Sequence, residues 1–167
     1  MIEGQEVNRY DLLKCTFIIP LRIETADRMR NIITTLIYLT RNFACRIIVK
    51  EVDKESIFLR DVQPLLEQAL EPEMLESIHH IFEKSDEFTF HRTKILNDML
   101  WMVKTPVVAN YDSDIILPID SYVHATNMIS KGWVHPDREG GQPVKVVYPY
   151  GMGEYQYQCH IDDDHAT

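Results

Sequence analysis

Two aspartates one residue apart, Asp112 and Asp114, follow the apolar run PVVANY (106–111) and precede IILP (115–118). Carboxylates at this spacing, at a strand end beside a turn, can face one divalent cation directly or through water. Hard carboxylate oxygens suit Mg2+ or Mn2+. Such an ion can bridge two phosphates and stabilise a diphosphate as a leaving group. The spacing is common, and its plain alternative is a solvated turn rich in Asp and Ser. Other charges also close apolar runs: Arg22 follows TFIIPL (16–21), and Glu51 and Asp53 end RIIVKEVD (46–53). A planar guanidinium suits bidentate phosphate binding. The stretch from His160 to His165, HIDDDH, holds further potential ligands for a metal or a base, but reads as a solvated acidic end.

Such residues act together only if the fold brings strand ends together. Residues 16–21 read as a short buried strand stopped at Pro20. Residues 26–43 carry Met29, Ile32, Ile33, Leu36 and Ile37 at helical spacing, with Thr25 placed to cap the helix. Residues 46–52 form a second strand. Strand, helix and strand make a βαβ unit, which implies parallel pairing and a right-handed crossover. The stretch 55–86 has helical composition broken by Pro64 and Pro72, and reads as one or two helices that include His79 and His80. A clearer helix spans 92–104, with Ile95, Leu96, Met99, Leu100 and Val103 inward. A strand at 106–111 and a helix at 119–131, capped by Asp120, follow. Residues 144–150 read as a late strand, with Tyr148 and Tyr150 in the core or lining a pocket. Trp101 and Tyr111 read as core or pocket wall, and His91 as a packing residue. The fold class is therefore α/β, a mostly parallel sheet flanked by helices, as one domain over 1–167. In such sheets ligands bind beyond the carboxyl ends of strands, where the strand order reverses.

Composition narrows the partners. The 167 residues hold 17 Lys and Arg against 26 Asp and Glu, for a net charge of −9. A general nucleic-acid binder needs a basic surface, so this balance argues against one, and against an anionic-membrane binder. An anionic ligand must be gripped by a few placed cations or a metal, because the overall field repels it. Cys15, Cys45 and Cys159 are widely spaced and odd in number, as expected of reduced thiols in a cytoplasmic protein. The polar, acidic start is no signal peptide, and no apolar run approaches the ~20 residues of a membrane span.

TFIIPLR (16–22), IIVKEVD (47–53), FHRTKILN (90–97) and VVANYDSDIILP (107–118) occur in one order. Together they resemble the nucleotide-sugar half of a GT-A fold, Rossmann-like glycosyltransferase. The pattern is similar to that of the lactose-synthase-type galactosyltransferases and related bacterial and viral enzymes. It covers roughly residues 16–120, and its most specific part is Phe-x-Arg-x-Lys-x-Leu-Asn ahead of D-x-D. The resemblance implies that Pro20 and Arg22 lie at the nucleotide diphosphate. It implies that Glu51, or its neighbour Asp53, approaches the base or ribose, and that Phe90 and Arg92 contact the nucleotide. Lys94 and Asn97 complete the motif. Asp114 matches the metal-binding aspartate, and Asp112 the aspartate near ribose and ion.

The chain departs from the pattern in three places. Glu24 stands where a second basic residue is usual, and Leu21 replaces an aromatic. No match occurs for the Trp/Gly-rich acceptor segment, since neither Trp133 nor Gly140-Gly141 fits it.

The resemblance implies transfer of a sugar from a nucleotide-diphospho-sugar, a UDP-sugar, to a carbohydrate or glycoconjugate acceptor, with Mn2+ or Mg2+ at Asp112 and Asp114. The catalytic base is not assigned. Only 53 residues follow Asp114, so the expectation is a donor half truncated on the acceptor side. The alternatives are a non-catalytic nucleotide-sugar-binding module, an unrelated nucleotidyl- or phosphotransfer enzyme using the same D-S-D, and a structural protein without ligand. The second fits poorly, because PLRIETAD lacks a Gly-rich phosphate loop.

Overall fold

The computed structural model describes residues 9–134 and 141–149. The elements are β1 (Tyr10–Leu21), α1 (Ala26–Asn42), β2 (Phe43–Asp53), a π-helical turn (Phe58–Val62) running into α2 (Gln63–Ala69), α3 (Pro72–Leu75), β3 (Ile78–Lys84), α4 (Arg92–Leu100), β4 (Val107–Asn110) and α5 (Ile119–Ser130). The strands form one sheet in the order β3-β2-β1-β4, and every pair is parallel. This is a Rossmann-like α/β fold.

Alternation along β1 divides the apolar residues between two cores. Phe17, Ile19 and Leu21 join the larger core under α1 and α5, with Ile32, Leu36 and Leu39 of α1 fully buried there. Ile18 points the other way and packs with Ile48, Val52, Ile95 and Met99 under α4. The helices follow from the route of the chain. It steps outward from β1 to β2 to β3, then returns past β1 to β4. A right-handed crossover in the reverse direction must use the opposite face, and α4, the return helix, lies on the opposite face.

Local signals account for the ends of elements. Thr25 Oγ1 accepts from Arg28 N–H and caps α1. Pro64 lies in the first turn of α2 and Pro72 in that of α3, where a missing N–H costs nothing. Gly132, at φ +65°, ends α5. Trp133 N–H bonds Met128 C=O and Gly132 N–H bonds Ile129 C=O, a Schellman closure.

Several elements differ from the sequence-based expectation. β1 begins at Tyr10 rather than residue 16, with an irregularity in its pairing to β2 between Asp11 and Thr16. Residues 78–84 form β3, not helix. The β-branched Ile78 and Ile81 serve the two cores, and the edge of β2 supplies the ladder. Residues 144–149 hold no strand, and Tyr148 is exposed. Trp101 ends α4 at 92% exposure and lines no core. The N-cap of α5 is Pro118, and Asp120 lies in the first turn instead. There a carboxylate still favours the helix dipole. Tyr150 and the His160–His165 cluster lie outside the described residues. No described helix is long and apolar enough to cross a membrane.

Cys15 and Cys45 are buried free thiols. Burial pushes the Cys15 thiol up to about 11 and the Cys45 thiol up to about 12. Thiolate is the reactive form, so neither should be alkylated by iodoacetamide at pH 8 in the native protein, while both react in denaturant. Mass spectrometry of the two cysteine peptides checks this, and native labelling of either one contradicts the packing.

Candidate functional site at the strand-order reversal

The order β3-β2-β1-β4 reverses between β1 and β4, and their carboxyl ends flank the crevice where open α/β sheets take ligands. Pro20 and Leu21 end β1 and lead to Arg22. Asn110 ends β4, and Tyr111 N–H still bonds Ile18 C=O, so the ladder holds up to the threshold of Asp112.

Arg22 is only 6% exposed. Its Nε donates to Val52 C=O at 2.9 Å and its Nη1 to Phe88 C=O at 2.9 Å. The guanidinium carbon lies 5.3 Å from the centre of the Phe90 ring, a cation–π contact. Arg22 thereby ties the segment before α4 to the end of β2. Among the described residues it pairs with no carboxylate, and its Nη2 has no protein partner. No buried side-chain nitrogen or oxygen lacks a partner among those residues, so Nη2 reaches solvent. The guanidinium is thus held in place with one amino group open to solvent.

Phe90 leads through His91 to Arg92, the first residue of α4. Arg92 Nη2 lies 2.5 Å from Asp112 Oδ1 and 3.3 Å from Asn110 Oδ1. His91, the N-cap residue of α4, is exposed and faces Glu87 at 3.3 Å rather than packing inward. Asp114 is exposed, and no hydrogen bond or ion pair to its carboxylate occurs among the described residues.

The loop carrying these aspartates is pinned by hydroxyls. Thr35 Oγ1 donates to Ser113 C=O and Tyr38 OH to Leu117 C=O, each at 2.8 Å, both from α1. Tyr122 of α5 accepts from Leu117 N–H at 2.9 Å and meets Tyr111 OH, which also contacts Ile115 C=O. Burial raises the phenol of Tyr111, and more modestly that of Tyr122, so both stay protonated donors.

The carboxylates at the end of β2 are placed differently. Glu51 is 0% exposed. Its Oε1 accepts from Ile57 N–H and Phe58 N–H at 2.9 and 3.0 Å, and its Oε2 from Ser56 Oγ at 2.5 Å. His80 Nε2 lies 3.2 Å away, its ring stacked 4.1 Å from Phe58. Glu51 thus seals the start of the π-helical turn. Asp53 ends β2, accepts from Lys54 N–H at 2.8 Å and through its carbonyl from Ser85 N–H. Lys50 is bound to Glu83 and Asp98 at 2.8 and 3.1 Å. Burial opposes its charge, but those two bonds outweigh burial and raise its pKa. It clamps β2, β3 and α4 and is no open cation.

The fold therefore joins Arg22 with Phe90, and Arg92 with Asp112 and Asn110, along one edge, with Asp114 on the same loop. It keeps the Glu51 carboxylate inside. Asn110 and the Phe88 carbonyl were not anticipated from sequence. Asn110 had a signal, being the last residue before the aromatic–Asp pair, whereas a carbonyl contact leaves none.

Among the described residues no three His, Cys, Asp or Glu side chains converge as a metal cluster. A Mg2+-type ion bound mostly by phosphate and water asks for one or two carboxylates, and the hard oxygens of Asp112 and Asp114 fit that demand. A depression of about 230 Å3 at Gln142–Val146 includes none of these side chains. Comparison with protein-family models gives no match, and neither does comparison with curated proteins.

Burial pushes the Glu51 carboxyl up, but the bonds from His80, Ser56 and Phe58 N–H outweigh it and hold the pKa below the ordinary 4.5. A depressed carboxyl stabilises the fold fully above its unfolded pKa. That stabilisation is lost as pH falls from about 4.5 through the lower folded value. Glu51→Ala should cost about 3 kcal/mol at pH 7, since it strands buried donors, and the deficit should shrink below pH 4.5. Urea unfolding at pH 7 and pH 3.5 reads both, and an unchanged midpoint at pH 7 contradicts the role.

Proposed function

We propose that this chain is the donor-binding part of a GT-A type glycosyltransferase, taking a nucleotide-diphospho-sugar, a UDP-sugar, and passing the sugar to a carbohydrate or glycoconjugate acceptor. One observation carries the reading. Arg92, which opens the FHRTKILN helix, pairs with Asp112 of the D-S-D loop at the carboxyl end of β4, next to β1, whose end leads into Arg22.

In this reading Arg22 Nη2 and the Arg92 guanidinium bind and orient the diphosphate oxygens. Phe90 fixes the plane of Arg22 from below. Asp112 and Asp114 hold Mn2+ or Mg2+, which supplies charge stabilisation to the departing nucleoside diphosphate. The hydroxyls of Thr35, Tyr38 and Tyr122 keep the loop in place before ligand arrives, so less ordering entropy is lost on binding. Local cations and the metal overcome the net charge of −9. Glu51, closed off by its own hydrogen bonds, supports the fold beneath the site rather than touching ligand.

Calorimetry with UDP tests the reading. The parent should bind UDP in the presence of Mn2+, and Asp114→Ala should weaken that binding at least about tenfold, or ~1.4 kcal/mol. Absence of UDP binding with and without Mn2+ contradicts it. Metal-dependent UDP binding without sugar transfer keeps the donor site and assigns the chain to the non-catalytic module.

A further inference from the structure

Arg92 and Asp112 form an ion pair. Arg92 Nη2 sits 2.5 Å from Asp112 Oδ1, and the same nitrogen reaches Asn110 Oδ1 at 3.3 Å. The partners come from different elements, the first residue of α4 and the loop just past β4. Both side chains are about two-fifths exposed, so solvent and ligands reach them. Neither backbone has freedom to drift. Tyr111 N–H is fixed to Ile18 C=O and the loop beyond by Thr35 and Tyr122, while Ile95 N–H bonds His91 C=O at the start of α4. The pair opens by side-chain rotation.

We propose that the Arg92–Asp112 ion pair is a latch that couples cation and anion binding at this site. The inference rests on the donor-site reading above and concerns how that site is regulated. A divalent cation approaching Asp112 meets a guanidinium already on the carboxylate, and two cations on one carboxylate repel. Arg92 on Oδ1 therefore weakens the hold of Asp112 on a cation, and a cation there in turn loosens Arg92, whose guanidinium is then free for a diphosphate. A diphosphate that draws Arg92 away equally frees Asp112. Each ligand removes the other's competitor, and by linkage the assistance is the same in both directions. An exposed pair of this kind is a weak latch, on the order of a few-fold in affinity.

The test is a titration with Mn2+ alone, with free Mn2+ followed by electron paramagnetic resonance. It uses the parent, Arg92→Gln and Lys94→Gln. Lys94→Gln removes the same charge from α4 two residues on and leaves the pair intact, so it reports the general field. Arg92→Gln should bind Mn2+ about two- to fivefold more tightly than the parent, and more tightly than Lys94→Gln. Equal affinity in the two variants, or weaker binding in Arg92→Gln, overturns the latch and leaves the metal site standing. No Mn2+ binding in any of the three overturns the metal site and the latch together. Circular dichroism of the variants confirms that each is folded.

Discussion

Parallel pairing on both sides of β1 is the constraint on which the rest depends. A parallel strand cannot be reached by a hairpin, so each step needs a helix that crosses back along the sheet. The chain takes two such steps outward, to β2 and β3, and one return step past β1 to β4. The return places α4 on the opposite face and its first residue at the carboxyl edge. The same step sets β4 beside β1, so two chain segments distant in sequence leave the sheet side by side. Arg22 leaves from one strand, Asp112 and Asp114 from the other, and Arg92 enters from the returning helix. No local folding rule pairs Arg92 with Asp112; the reversal of strand order does.

Electrostatics then sorts the charged residues into those that build and those that wait. Lys50 and Glu51 are buried and fully engaged, one clamping strands to α4 and the other sealing the π-helical turn. Arg22 is buried as deeply but keeps an amino group open, and its partners are carbonyls rather than carboxylates. Those carbonyl bonds, the Phe90 ring and the solvent at Nη2 offset the cost of burying its charge.

Much of this was legible in the sequence. The period of 3.6 in residues 26–43 and the β-branched runs at 16–21 and 46–52 announced β1, α1 and β2. Thr25 marked the cap, and the motif order placed Arg22, Arg92 and the aspartates at the edge of the sheet. What was missed has physical reasons. IHHIFEK carries no decisive period, and becomes β3 only because the edge of β2 offers it a ladder. Trp101 lies off the 95-96-99-100-103 stripe and just past the end of α4, so its large ring is left in solvent. The fate of Glu51 hung on amides six and seven residues ahead, in a turn that no motif announces. Two of the hydroxyl pins on the D-S-D loop, Thr35 and Tyr38, come from α1, far away in sequence, and only the fold brings them near.

The central claim is that a divalent cation and a diphosphate meet at the carboxyl ends of β1 and β4. Paramagnetic broadening of backbone amides by Mn2+ in the presence of UDP reads that location directly. The account expects the strongest signal loss at Asp112–Ile115, with Arg22 and Arg92 also broadened and the amino ends of the strands left sharp. Broadening centred elsewhere, or a uniform weak effect without loss at Asp112–Ile115, contradicts it.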